Sequence, residues 1–336
     1  MVTVTYKNKT FQTDDKTTLL DSILASGTFM SSSCKDGFCQ NCMAKAVKGI
    51  PPEASQVGLS ESLKAQNCFL PCICIPTEDM EIEDATKNNV IKEDPGISAF
   101  NTYAAMALEK KWLNHDVLRF CLMKPEGFRY KAGQFLNITQ TDINVTRSYS
   151  LASLPCENFI ELHIKRIPNG IVSNWICDDV SLGSDIEISG PSGSCYYQQG
   201  NPHQPLLLVG IGTGLAPLYG IARDAIESDH QGEIFIFHAT TEATQLYYQD
   251  ELNALVQETN NVQYIPCVLH GEAPENGQQG LIHEVIAEHI GKLTDIAAYL
   301  CGDGQTIETI TKTLIQADAD PEQIYSDIFF SPPQNN

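Results

Sequence analysis

The stretch Ser33-Cys34-Lys35-Asp36-Gly37-Phe38-Cys39-Gln40-Asn41-Cys42 carries three cysteines spaced C-x4-C-x2-C, and Cys72 follows in Phe69-Leu70-Pro71-Cys72 after twenty-nine intervening residues. Four thiolates at this spacing suit one [2Fe–2S] cluster, because three ligands on a tight loop and a fourth from a distant segment can surround two irons tetrahedrally. Tetrathiolate zinc is the competing reading. Zinc sites usually pair two CxxC knuckles, and only Cys39 and Cys42 make one here. A disulfide framework fits worse: the chain has no signal-peptide pattern, and its twelve cysteines belong to a protein large enough to build a core. Ser31, Ser32, Ser33 and Gly37 are small enough for the backbone to wrap closely and turn N–H groups toward sulfur. Spacing leaves the fourth ligand open. If Cys72-Ile73-Cys74 is a strand, alternation places both sulfurs on one face, and Cys68 lies nearby as well.

At 336 residues the chain has room for two or three domains. A formal charge of −21 argues against a nucleic-acid partner, because phosphate binding needs clustered Lys and Arg. The charge is uneven: residues 1–90 hold eight basic and eleven acidic side chains, 91–200 ten and twelve, and 201–336 three and nineteen. Arg223, Lys292 and Lys312 are therefore the fixed cations of the last third. No apolar run approaches a membrane span, so the expectation is a monomeric protein of the reducing cytoplasm. The eight cysteines outside the cluster set, for example Cys121, Cys156 and Cys177, read as small buried hydrophobes.

Residues 1–86 read as short strands (Val2 to Tyr6, Met43 to Val47, Asp79 to Glu83) around a helix over Thr18 to Ser26. A polar, proline-broken linker follows over 87–97. Residues 98–201 contain VLRFCLM, FLNIT, RSYSLAS, IELHIKR and DIEISGP between Gly and Pro turns, with a short helix at Ile171 to Cys177; this pattern predicts an antiparallel β-barrel. From 202 to 336 strands alternate with helices. LLLVG leads into a glycine turn and a helix, EIFIFHA into a helix over Tyr247 to Gln257, and AAYLCG into a helix over Thr306 to Ala317. That is the signature of a parallel, Rossmann-like sheet.

Three further strings carry chemistry. Arg147-Ser148-Tyr149-Ser150 is followed by Asn169-Gly170-Ile171-Val172-Ser173, and Gly133-Gln134-Phe135 precedes both. Gly210-Ile211-Gly212-Thr213-Gly214-Leu215-Ala216-Pro217 directly follows LLLVG, the strand–turn–helix context in which a glycine turn admits a pyrophosphate. Cys301-Gly302-Asp303-Gly304 ends AAYL, and Tyr325-Ser326-Asp327-Ile328-Phe329-Phe330 stands near the C-terminus.

The cysteine region resembles the plant-type ferredoxin domain, a β-grasp fold, and its Leu70-Pro71-Cys72 context makes Cys72 the fourth ligand beside Cys34, Cys39 and Cys42. The remainder resembles the ferredoxin–NADP reductase superfamily. That resemblance implies an FAD site in which Arg147 neutralises pyrophosphate, Tyr149 packs on the flavin, Ser150 bonds near its reactive nitrogen, and the helix start at Gly170, Ile171, Val172 and Ser173 accepts phosphate. Ser148 and Lys165 are counted with this set. It also implies that Gly210, Gly212, Thr213 and Gly214 cradle a nicotinamide dinucleotide and that Cys301 and Gly302 shape the nicotinamide pocket, with Ser150 and Cys301 as the catalytic pair. Phe329 or Phe330 would cover the flavin ring. Asp327 stands where that pattern more commonly has glutamate.

The order of parts resembles the NADH-dependent reductase components of multicomponent oxygenases. It is also similar to the iron–sulfur flavoprotein reductases of deoxysugar biosynthesis, which share the Cys-Lys-Asp-Gly-x-Cys loop. The resemblance implies electron flow from NADH through FAD to the [2Fe–2S] cluster and on to a protein acceptor, either an oxygenase component or a deoxysugar dehydrase. A redox sensor without turnover is a third reading, disfavoured by the intact glycine turn. NADH is favoured over NADPH because His238 to Tyr248 holds no fixed cation for a 2′-phosphate. In that segment His238 could supply part of a charge but is a weak phosphate clamp at neutral pH, and Glu242 reads either as a ribose ligand or as an exposed helix-start carboxylate.

Overall fold

The computed structural model describes residues 2–28, 30, 37, 42–57, 59, 61–85, 101–290 and 295–329. Those up to Ala85 make one compact unit, and those from Asn101 to Phe329 make a second.

In the first unit β1 (Val2–Tyr6), β2 (Lys9–Thr13), β3 (Ala44–Lys48), β4 (Cys68–Phe69) and β5 (Met80–Asp84) form one sheet in the order β2-β1-β5-β3-β4. Only β1 and β5 run parallel, the mixed pattern of a β-grasp. Two helices, α1 (Leu19–Ala25) and α2 (Glu61–Ala65), complete it. The residues expected to bound the first helix are its caps. Thr18 Oγ1 accepts the Asp21 N–H at 3.2 Å and donates to the Asp21 carboxylate at 2.9 Å, and Ser26 closes the other end. Leu19, Leu20 and Ile23 face the sheet and are fully buried with Val4, Tyr6 and Phe69.

The second unit holds two sheets. β6 (Thr102–Trp112), β7 (Val117–Met123), β8 (Phe135–Gln140), β9 (Val145–Ser150), β10 (Phe159–Lys165) and β11 (Asp185–Ser192) pair antiparallel in the order β10-β7-β6-β11-β8-β9. The Leu151↔Leu162 bridge joins the two ends, so the sheet closes into the expected barrel. β6 is the element that local sequence disguises. Thr-Tyr-Ala-Ala-Met-Ala-Leu-Glu-Lys-Lys-Trp is rich in helix formers, yet it pairs with β7 on one side and β11 on the other. The short helix α3 (Ile171–Asn174) continues into a π turn over Trp175–Asp179.

The parallel sheet follows. β12 (Leu206–Ile211), β13 (Ile234–Thr240), β14 (Val262–Val268), β15 (Gln278–Gln279), β16 (Ala297–Asp303) and β17 (Ile324–Phe329) lie in the order β15-β14-β13-β12-β16-β17, every pair parallel. The helices α4 (Leu215–Glu227), α5 (Gln249–Glu258), α6 (Ile282–Ile290) and α7 (Gly304–Gln316) connect its strands. Strand order reverses between β12 and β16, and ligands bind at such switch points, outside the carboxyl ends of the strands. The helix expected from Tyr247 starts at Gln249, because Tyr248 takes a left-handed backbone at φ +60° and caps it. No helix among the described residues is long and apolar enough to cross a membrane.

Candidate functional site

Cys34 and Cys39 lie outside the described residues; Cys42 and Cys72 are buried in the core of the first unit. The Cys72 segment is a turn, not the strand that the alternation argument assumed. Ile73 N–H bonds Leu70 O at 3.1 Å and Cys74 N–H bonds Pro71 O at 3.4 Å. The first-turn N–H groups of Leu19 and Leu20 in α1 donate to the Cys74 and Pro71 carbonyls at 2.7 and 3.0 Å. Otherwise unsatisfied helix-end donors therefore hold the turn that carries Cys72. Cys74 is fully buried, and burial pushes its thiol up to about 12. Gly37, in the cysteine loop, is buried at φ +80°, and a Cβ there would sit 2.9 Å from Ile73 Cδ1. Gly37 thus packs on the residue beside Cys72.

On the barrel, β8 and β9 pair so that Leu136 faces Tyr149 and Ile138 faces Arg147. Arg147 is exposed, and its guanidinium donates to the Thr146 carbonyl at 2.8 Å, with no carboxylate bound to it among the described residues. A cation left in this state suits an anionic ligand. Ser148 Oγ donates to Asn137 Oδ1 at 2.7 Å. Tyr149 packs against the barrel core, and burial raises its hydroxyl pKa. Gly170 starts α3, and a Cβ there would lie 2.4 Å from Ser173 Oγ. Val172 and Ser173 are buried, whereas Ile171 is half exposed. Lys165 is engaged elsewhere, in an ion pair with Asp116 at 3.5 Å.

The glycine turn spans the switch point. Gly210 is the penultimate residue of β12, Gly212 to Gly214 form a tight helical turn, and α4 starts at Leu215. A Cβ on Gly214 would sit 2.0 Å from the Cys301 carbonyl oxygen, so only glycine lets the two loops pack. Gly212, at φ +57°, has nothing within 4 Å of its Cβ position, so its face is open. Backbone approach without side chains at a strand-to-helix turn suits a dinucleotide diphosphate.

The two sheets meet at Ser150, Asp327 and Cys301. Ser150 Oγ, at the end of β9, donates to Asp327 Oδ2 at 2.7 Å. Cys301 and Asp327 are register partners on β16 and β17, and the Asp327 N–H bonds the Cys301 sulfur. Burial pushes the Asp327 carboxyl up to about 6, against the opposing effect of the Ser150 hydroxyl. Cys301 is completely buried; burial and then the neighbouring Cys195 raise its thiol well above the ordinary range. Cys195 Sγ lies 3.7 Å from Cys301 Sγ, a contact the sequence reading missed because 106 residues separate them. Phe329 ends β17 half-buried, and Phe330 lies outside the described residues.

Two expectations are corrected and one alternative is decided. His238 supplies no part of a charge: it is completely buried, and its pKa falls to about 3, chiefly through burial. Glu242 is an exposed helix-start carboxylate: it caps the turn over Ala243–Gln245, its side chain taking the Gln245 N–H while the Gln245 side chain takes the Thr241 and Glu242 N–H groups. Cys156 is exposed, unlike buried Cys121 and Cys177.

Three family models match the chain in sequence order: a 2Fe-2S iron-sulfur cluster binding domain over residues 2–77, an oxidoreductase FAD-binding domain over 105–197 and an oxidoreductase NAD-binding domain over 208–312. The chain is an iron–sulfur flavoprotein reductase. The reductase is 28% identical over 98% of its length to the phenol hydroxylase P5 protein of Acinetobacter pittii, covering 94% of that protein. It is also 28% identical over 95% of its length to the CDP-6-deoxy-L-threo-D-glycero-4-hexulose-3-dehydrase reductase of Yersinia pestis, covering 95% of it. In fold the reductase matches the crystal structure of the Amycolatopsis cytochrome P450 reductase GcoB with a TM-score of 0.73 at 24% identity, over 98% of this chain and 99% of that one. Its role is electron transfer, served by a 2Fe-2S cluster, FAD and a nicotinamide dinucleotide.

Proposed function

We propose that the reductase takes electrons from NADH and delivers them, through FAD and a [2Fe–2S] cluster, to the terminal component of a multicomponent oxygenase. The observation that carries this reading is the Ser150–Asp327–Cys301 junction, where the barrel and the dinucleotide sheet contribute adjoining polar groups. When bound, the flavin supplies the conversion of a two-electron donation into single electrons. Cys34, Cys39, Cys42 and Cys72 hold the cluster, the Leu70-Pro71-Cys72 context supporting Cys72 as the fourth ligand. Arg147, with Gly170 to Ser173, holds the FAD diphosphate, while Ser148 and Asn137 brace the strand that presents Tyr149 and Ser150. Gly210 to Gly214 hold the diphosphate of NADH. Cys301 and Gly302 form the floor of the nicotinamide pocket, and Ser150 offers a hydroxyl oriented by Asp327.

The preference for NADH rests on charge. The segment after β13 holds no Lys or Arg, and Arg223 is paired with Glu157 at 2.7 Å. The working boundaries are 1–86 for the cluster domain, 98–201 for the flavin domain and 202–336 for the dinucleotide domain, with the linker at 87–97. Unpaired cysteines in this number support a reducing compartment such as the cytoplasm. The Yersinia relative and the Cys34-Lys35-Asp36-Gly37-Phe38-Cys39 loop favour a second acceptor, a deoxysugar dehydrase, reached by the same internal path.

An anaerobic titration with NADH, and in parallel with NADPH, tests the path by visible absorbance and low-temperature EPR. Flavin bleaching together with a rhombic signal from the reduced cluster, at lower NADH than NADPH, is the expected result. Bound zinc with no cluster signal would overturn the cluster assignment, and equal response to NADPH would overturn the cofactor preference.

A further inference from the structure

The glycine turn is held from behind by one imidazole. His238, on β13, is completely buried, and its Nε2 lies 3.2 Å from the Gly212 carbonyl oxygen. A carbonyl only accepts, so Nε2 carries the proton and Nδ1 is the bare nitrogen. Nδ1 has no hydrogen-bond partner among the described residues, which agrees with that assignment. The Leu215 N–H bonds the same carbonyl, so both of its lone pairs are engaged. The ring is wedged edge-on against Tyr247, centroids 5.1 Å apart at 82°. Tyr247 is anchored in turn to the barrel, its hydroxyl 3.1 Å from His163 Nδ1, while His163 Nε2 donates to Glu161 at 3.0 Å.

Why the turn needs a brace follows from glycine. A planar trans peptide points its C=O and N–H in opposite directions. Anchoring the Gly212 carbonyl toward β13 therefore directs the Thr213 N–H away from β13. With glycine at 212, rotation of this peptide about its flanking bonds meets little steric resistance, and it would exchange an outward N–H for an outward carbonyl. An outward carbonyl would repel a diphosphate.

We propose that His238 is a positioning residue for the dinucleotide: its hydrogen bond to the Gly212 carbonyl locks the Gly212–Thr213 peptide in the orientation that presents an N–H, not a carbonyl, to the diphosphate. The proposal rests on the glycine turn being the NADH site, as argued above.

The test uses the full-length reductase with FAD and cluster bound. His238→Leu keeps the bulk and removes the donor; His238→Gln keeps a donor at about the Nε2 position. Calorimetric titration with ADP-ribose should show affinity about tenfold weaker in His238→Leu and within threefold of wild type in His238→Gln, as loss of one hydrogen bond implies. Amide hydrogen exchange in peptides covering 210–216 should quicken in the leucine variant alone. The KM for NADH should rise with the affinity loss, while kcat with ferricyanide stays within twofold and FAD content is unchanged. Equal affinity in wild type and His238→Leu, or equal impairment of both variants, would overturn the proposal. In case the leucine variant does not fold, the wild-type protein labelled with 15N-histidine provides a separate test. An Nδ1–H tautomer or an imidazolium at His238 at pH 7 would overturn the assignment. Failure of the wild-type reductase to bind ADP-ribose at all would instead sink the reading of the glycine turn.

Discussion

Asp327 occupies a place where the resembling pattern has a longer acid, and its geometry defines its task. Its carboxylate takes the Ser150 hydroxyl at 2.7 Å, and burial lifts its pKa to about 6. Below that pH it is protonated and no longer a strong acceptor for Ser150. We expect the rate of flavin reduction by NADH, followed by stopped flow, to fall as pH drops through about 6. In Asp327→Asn the inflection should vanish and the rate should sit about tenfold lower throughout. The sign for stability is opposite. A carboxyl whose folded pKa exceeds its ordinary value of 3.8 contributes stability that is complete below 3.8 and lost as pH rises through about 6. Asp327→Asn should therefore be more stable than wild type at pH 8 by about 1–2 kcal/mol, the full shift discounted for partial exposure, and show no gain at pH 4. The polar partners at this junction were only half legible in sequence. Ser150 and Cys301 stand in recognisable strings, whereas Cys195 has no pattern of its own and His238 was read only as a possible partial charge.

Between elements, the barrel and the parallel sheet of the second unit are joined by a buried ionic network. Arg119 on β7 donates to Glu161 on β10 at 2.6 Å, to Glu109 on β6 at 2.7 Å and to the Tyr248 hydroxyl at 3.1 Å, and Tyr248 also donates to Glu161. Burial alone would raise the Glu161 pKa, but His163, Arg119 and Tyr248 together hold it at about 2. The same contacts hold Tyr248 in its left-handed conformation at the start of α5, a strained choice for a bulky residue. Arg119→Met should cost about 3–5 kcal/mol, because it strands a buried carboxylate. Thermal melts should show a drop of roughly 10 °C, most of it recovered in the Arg119→Met, Glu161→Gln double variant. Full recovery would not follow from a mere loss of packing around Arg119, so the double variant separates charge from shape.

For the molecule as a whole, three sites in one chain imply a division of labour that a single cysteine can test. Cys39→Ser should abolish the EPR signal of the reduced cluster and cut delivery to a one-electron protein acceptor at least twentyfold. NADH-to-ferricyanide turnover through the flavin should stay within about twofold of wild type. Loss of flavin reduction in that variant would show that the sites do not work in series. Opposed charge on the acceptor is a further expectation, since the chain carries −21 overall and a complementary surface would hasten encounter.

The three cofactors were readable from sequence because each is announced by a short local motif. C-x4-C-x2-C, Arg147 to Ser150 and Gly210 to Gly214 each lie within one short stretch of chain, and their order along the chain carries the family resemblance. The short, largely apolar runs VLRFCLM and LLLVG likewise announced their strands. What folding added is long-range. β6 is a strand because β7 and β11 supply its hydrogen bonds, against the helical leaning of its residues. Ser150 reaches Asp327 across 177 residues only because the barrel closes beside the end of the parallel sheet. His238 became a buried brace because β13 lies between β12 and β14, and burial, a property of the packed sheets, turned a candidate partial charge into a neutral hydrogen-bond donor.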